Sequence, residues 1–155
     1  MFNIAFNGII TVNRGDSFSF PLTINFGSTL NPDTYGLQEK DKVYFAVMEP
    51  NQPFETALIK KVFTKDDVQD GNILIKFRPK DTECVLPGKY YYQIKLQRFH
   101  KKLDDSGKPV EPTEWLDDYD VDTVIDKTLF YILEWCVMAT KGLVGGVNAV
   151  GQSVT

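Results

Sequence analysis

The chain has 155 residues, 43% of them hydrophobic and 13% aromatic, and a formal net charge of −4. That length suits one ordinary domain plus a loop or tail, and the composition is that of a packed globule, which excludes a disordered chain. The acidic balance excludes a dedicated nucleic-acid binder, because phosphate contacts need a basic surface.

Met1 runs straight into Phe2-Asn3-Ile4-Ala5-Phe6. The basic and apolar regions of a signal peptide are missing there, and no run of about 18 apolar residues could span a bilayer. The sequence therefore predicts folding in a cytoplasm, without a membrane partner. Cys84 and Cys136 are the only cysteines. In a reducing compartment they read as buried small hydrophobes with free thiols, not as a disulfide.

Along the chain, period-two alternation of aromatic and β-branched residues is broken by turn chemistry. Ile9-Ile10-Thr11-Val12 predicts a strand, Arg14-Gly15-Asp16 a turn, and Phe18 to Ile24 a second strand. Pro21 marks that strand as an edge or a bulge, since proline removes a ladder donor. Residues 25–41 are rich in Gly, Ser, Asn, Pro and Asp and predict a loop. Val43 to Met48 is almost continuously apolar, as in a central strand covered on both faces. Ala57 to Phe63 predicts the next strand. Thr64 with Asp66-Asp67 predicts one capped helical turn, stopped by Asp70-Gly71. Ile73, Ile75 and Phe77 fall on one face of a fifth strand. Pro79 to Thr82 and Leu86-Pro87-Gly88 read as turns, and Lys89 to Gln97 is the strongest strand pattern in the sequence. Residues 100–118 read as a long polar loop or a hairpin with a mobile tip. Asp122 to Ile125 and Thr128 to Leu133 close the set. About seven to eight short strands, with no long helix, point to an all-β sandwich over residues 1–133.

Residues 134–155 differ. From Trp135 onward Lys141 is the only charged residue, and four glycines stand among Val, Leu, Ala and Asn. A loose tail is the plain reading. An extended arm laid on a neighbouring subunit is the preferred one, because ordering on a partner needs apolar content. Its candidate interaction residues are Trp135, Val137, Met138, Leu143, Val144, Val147 and Val150.

The sequence offers little chemistry. His100 stands alone, without a second His or Cys at metal-ligand spacing. There is no Gly-rich phosphate loop and no nucleophile with an evident base. Glu114, Asp117, Asp118, Asp120 and Asp122 could gather carboxylates for Ca²⁺, but they lack the ordered spacing of a calcium loop and read as a solvated acidic loop. Arg14-Gly15-Asp16 reads as a turn and not as an adhesion motif. Trp115 and Trp135 with the Tyr-rich strand could form a sugar platform, yet core or interface packing is the commoner use of such rings. The reading is of a protein that is not an enzyme and takes no cofactor or metal.

Three segments, in order, resemble a family. They are Ile10-Thr11-Val12-Asn13-Arg14-Gly15-Asp16-Ser17-Phe18 with Pro21-Leu22-Thr23-Ile24; Asp41 to Pro50 with Pro53-Phe54-Glu55; and Phe77-Arg78-Pro79-Lys80-Asp81-Thr82 with Leu86 to Ile94. Val121 to Ile125 continues the pattern. The order is similar to that of the N-terminal domain family of phage upper-baseplate proteins, from tailed phages and prophages of Gram-positive bacteria. The resemblance covers roughly residues 9 to 133.

It implies an immunoglobulin-like β-sandwich and a structural role in the virion, docking onto other virion proteins in tail or baseplate assembly. Gly15 and Gly88 fall where such turns call for positive φ. Gly88-Lys89-Tyr90 is similar to the corner by which these sandwiches enter a long strand. Longer members carry host-binding parts after this domain, whereas this sequence shows only the short tail, as in a stand-alone member or a fragment. Capsid decoration or a head-fibre role is one alternative, and a carbohydrate-binding module acting in host attachment is another. A homo-oligomer is expected, since repeated symmetric contacts build such assemblies.

Overall fold

The computed structural model describes residues 2–28 and 30–134. In chain order the strands are β1 (Phe2–Ile4), β2 (Ile10–Asn13), β3 (Phe18–Leu22), β4 (Asn25–Ser28), β5 (Asn31–Thr34), β6 (Lys42–Met48), β7 (Ile59–Phe63), β8 (Val68–Gln69) and β9 (Asn72–Phe77). A single-turn helix α1 (Pro79–Thr82) precedes the two long strands β10 (Gly88–Lys101) and β11 (Trp115–Leu133). Six strands form one sheet in the order β1-β2-β11-β10-β6-β7, and β3-β9-β8 form a second. The β4–β5 hairpin stands apart. Every pairing is antiparallel except β2 with β11, which run parallel with Ile10 opposite Phe130. The fold is therefore all-β. No helix among the described residues is long and apolar enough to cross a membrane.

Alternation explains how the sheets close on each other. Side chains two apart in a strand share a face. Val43, Phe45 and Val47 of β6, Ile94 and Leu96 of β10, and Phe130 and Ile132 of β11 point inward and are fully buried. Ile73, Ile75 and Phe77 of β9 answer them from the other sheet, as their spacing predicts. The Phe45 ring stacks on Tyr92 at 5.2 Å and meets Phe77 edge-on at 5.3 Å, so it touches both sheets at once. Phe18 stacks at 4.6 Å on both Phe2 and Phe77, which ties β1 to the smaller sheet. Burying a ring of this size contributes about 1.5–3 kcal/mol, and well-set ring pairs add about 0.5–1.5 kcal/mol.

The expected turns are built as polar hooks. The Arg14-Gly15-Asp16 turn has Gly15 at φ 82°, and its N–H donates to Thr82 Oγ1 at 2.8 Å. Thr82 is itself fully buried, so the turn is locked onto α1. The half-buried Lys61 of β7 reaches across to α1, its Nζ donating to Asp81 Oδ2 at 2.7 Å and lying 5.1 Å from the centre of the Phe77 ring. Arg78 N–H donates to the same oxygen at 2.7 Å. Thr64 caps the Lys65–Asp67 turn as expected, its N–H donating to the Asp67 carboxylate at 2.9 Å.

Several expectations are corrected. Residues 25–41 hold the β4–β5 hairpin, whose Phe26 and Tyr35 rings meet edge-on at 5.2 Å; the whole stretch is not a loop. β1 is a strand that the alternation did not reveal. Pro79–Thr82 is a short helix. Positive φ occurs at Gly8, Gly15, Gly71 and Gly107, whereas Gly88 simply opens β10. Cys84 carries a free thiol but is exposed, so it is not a core hydrophobe; Cys136 lies outside the described residues.

Two outcomes follow from this packing. Phe45→Ala removes the ring shared by the sheets and should cost about 3–5 kcal/mol in denaturant unfolding, with the m-value little changed. Burial raises the Asp81 carboxyl, but the Arg78 N–H and the Lys61 ammonium outweigh it and hold the group below its ordinary value. A carboxyl depressed in the folded state stabilises above its unfolded value near 3.9, and that contribution is lost as pH falls through the folded value. Asp81→Asn should therefore cost about 1 kcal/mol at neutral pH, and its unfolding curve should converge on that of the parent chain as acid takes the pH down through the depressed folded value.

Candidate docking surface

β10 and β11 are 14 and 19 residues long, and β6 is only seven. β6 runs out at Lys42, opposite Gln97. Beyond that point Arg98–Lys101 pairs with β11 alone, so the hairpin continues as a two-stranded arm. Its end is fastened by local hydrogen bonds. Lys102 N–H donates to Glu114 O at 2.8 Å and Val110 N–H to Lys102 O at 3.1 Å. Asp104 Oδ1 accepts from Ser106 Oγ at 2.6 Å, Ser106 N at 2.9 Å and Lys108 N at 3.0 Å. Led by the Ser106 hydroxyl, these donors hold the Asp104 carboxyl below its ordinary value.

The two faces of the arm differ. Leu96, Arg98 and His100 continue the core-facing row. Arg98 Nε donates to Asp122 Oδ2 at 2.7 Å, and His100 Nε2 lies 3.1 Å from Asp120 Oδ2. The Arg98 guanidinium also covers the Phe26 ring at 5.1 Å, which pins the β4–β5 hairpin to the arm. On the opposite face Phe99 and Tyr119 meet at 5.3 Å, Lys101 lies over Trp115 at 5.4 Å, and Lys40 lies over Phe99 at 6.0 Å.

The other edge of β11 is the most consequential feature. β2 covers β11 only along Phe130–Leu133. Among the described residues nothing pairs with the far edge of β11 from Trp115 to Asp126. Exposed apolar side chains accompany that edge: Leu116 at 43%, Tyr119 at 48% and Val121 at 54%. Unpaired N–H and C=O groups in a row are a template for another strand. Phe6, fully exposed at the β1–β2 turn, adds a second apolar projection.

The sequence-based candidates are placed as follows. Trp135, Val137, Met138, Leu143, Val144, Val147 and Val150 all lie outside the described residues. Trp115 is half-buried under Lys101 on the outer face. The acidic stretch expected as a solvated loop is strand from Trp115 onward, and two of its carboxylates are spent on Arg98 and His100. Among the described residues no three His, Cys, Asp or Glu side chains converge as a metal site. Arg98, Phe26 and the free edge were not singled out from sequence. The signal for Arg98 was present as Arg98-x-His100 set against Asp120-x-Asp122, two alternating rows of donors and carboxylates.

Arg98→Met removes the link between arm and hairpin. Amide exchange should speed up at residues 26–35 and 119–122, while the global unfolding midpoint moves by about 1 kcal/mol or less. No protein-family model, curated protein or solved structure matches this chain, and the function of this surface has to be read from its own geometry.

Proposed function

We propose that this chain is a non-enzymatic structural protein of a tailed-phage virion, which docks onto other virion proteins during tail or baseplate assembly. The observation that carries the docking part is the unpaired edge of β11, twelve residues from Trp115 to Asp126, offered on a fastened arm with three exposed apolar side chains. A strand edge of that length gives affinity through the main chain and selectivity through alternate side chains. The phage part rests on the ordered segments between Ile10 and Ile125 that resemble upper-baseplate domains.

The immunoglobulin-like reading of the fold belongs to the same proposal. β11, β10 and β6 stand side by side with β7 added outside β6, and β3, β9 and β8 face them. That is how a sandwich of this kind divides its strands, with the extra strand on the sheet that holds the last two. Tyr90 near the start of β10 donates its hydroxyl to Leu86 O at 2.5 Å, four residues upstream, in the manner of a tyrosine corner.

A second reading, a carbohydrate-binding module, is favoured by Phe99, Tyr119 and Trp115 sharing the outer face of the arm. Mass spectrometry and labelling of purified particles decides between the two. Presence at the tail tip supports baseplate docking, and presence on the head moves the same docking to capsid decoration or a head fibre. Absence from particles overturns the structural role. Deleting residues 136–155 should leave a folded domain that no longer enters particles, and normal incorporation would remove the arm idea. Leu116→Asp, at an exposed position, should leave stability within about 0.5 kcal/mol and lower incorporation.

A further inference from the structure

On the outer face of the six-stranded sheet two lysines converge on one aromatic ring. The Phe54–Thr56 turn folds back over β6, and the Phe54 ring meets Tyr44 edge-on at 6.4 Å. Lys60 and Lys95, from the strands on either side of β6, both lay their ammonium groups on Phe54, at 4.9 and 4.6 Å from its centre. Lys60 also reaches Tyr44 at 5.6 Å. Neither ammonium has a carboxylate within ion-pair reach among the described residues. Glu55 stands on the rim, outside that reach of both.

The rest of the cleft is of another character. Tyr119 and Val121, about half exposed, form an apolar wall on the β11 side. Between wall and lysines lies Gln97, whose Oε1 accepts from the Tyr44 hydroxyl at 3.3 Å. The Gln97 amide nitrogen has no hydrogen-bond partner among the described residues. The cleft encloses about 300 Å³. That volume is at the small end of ligand sites and suits one or two rings, not a folded partner.

We propose that this cleft binds an anionic saccharide: a hydroxylated ring carrying a carboxylate or phosphate. The two ammonium groups take the anion, and each trades a ring face for a full counter-charge. The Gln97 amide donates to a ring hydroxyl and the Tyr44 hydroxyl oxygen accepts from another. The apolar face of the sugar ring lies against Tyr119 and Val121. A neutral sugar would leave both ammonium groups without an ion-pair partner. An acidic peptide would satisfy them but would make no use of the wall or of Gln97. The inference goes beyond docking and does not need it, since the cleft lies beside the free strand edge and can be tested on the isolated chain.

The test is an amide-resolved NMR titration of the full chain with glucuronate disaccharide, glucose 1-phosphate, the neutral glucose disaccharide and an aspartate-rich peptide. The expected result is saturable shifts at Gln97, Tyr119 and Val121 with one or both acidic sugars, at an affinity at least tenfold above the neutral sugar and the peptide. Which acidic sugar binds tells carboxylate from phosphate. Lys60→Met and Lys95→Met keep the stems over Phe54 and remove the charge, and each should weaken binding about tenfold with the melting temperature unchanged. Tyr119→Ala, at an exposed position, should weaken it as well. Equal binding of the peptide overturns the saccharide assignment. No shift at about 10 mM acidic sugar, or shifts that survive both lysine variants, overturns the site.

Discussion

One aromatic contact holds the two sheets in their relation. Phe45 stands at the centre of β6, stacked on Tyr92 within its own sheet and set edge-on to Phe77 of the other. Phe130 and Phe20 close around it, from β11 and β3. β6 buries Val43, Phe45, Ala46, Val47 and Met48, and Tyr44 alone of that run keeps its side chain at the outer-face cleft. The Phe45 ring fixes where β10 and β11 leave the body, since Tyr92 and Phe130 are the residues that anchor them. The arm and the outer-face cleft take their positions from that anchorage.

The free edge of β11 carries two messages. Leu116, Tyr119 and Val121 invite contact. Asp117, Asp118, Asp120, Asp122 and Asp126 line the same strand. Two copies of this strand, paired antiparallel about Val121, would set Asp120 directly against Asp122, and like charges directly opposite are unfavourable. Charged edges are a common guard against strands pairing with their own kind. That register is therefore unfavourable between two copies, whereas an extended segment with basic or neutral side chains would meet no such repulsion.

Much of the body was legible in the sequence because its signals are local and redundant. The apolar run of β6, the Ile73, Ile75 and Phe77 row, the capped turn at Thr64 and the edge position of Pro21 in β3 each follow from a few neighbouring residues. The β4–β5 hairpin was not legible: Asn25, Asn31, Pro32, Asp33 and Thr34 are poor strand formers, held by pairing and by the Phe26 ring under Arg98. The first half of β11 was hidden for a related reason. Its aspartates look like a loop until β10 is placed beside them, where Arg98 pairs with Asp122 and His100 meets Asp120. The outer-face cleft was hidden most completely. Lys60 and Lys95 are far apart in the chain, and their meeting over Phe54 is a product of strand register alone.

The parallel pair of β2 and β11 sets a timetable for the nascent chain. β2 joins the larger sheet only through β11, and its partners lie about 120 residues later, Ile10 waiting for Phe130. At ribosomal speed that wait lasts roughly ten seconds. During it the β1–β2 hairpin has no sheet to enter, and Ile10 and Val12 have no interior to fill. The domain is completed at its seam, when β11 emerges and slides between β2 and β10. A chain interrupted before Phe130 would therefore leave Ile10 and Val12 without the strand beside which they are buried, and exposed apolar strands of that kind are prone to associate.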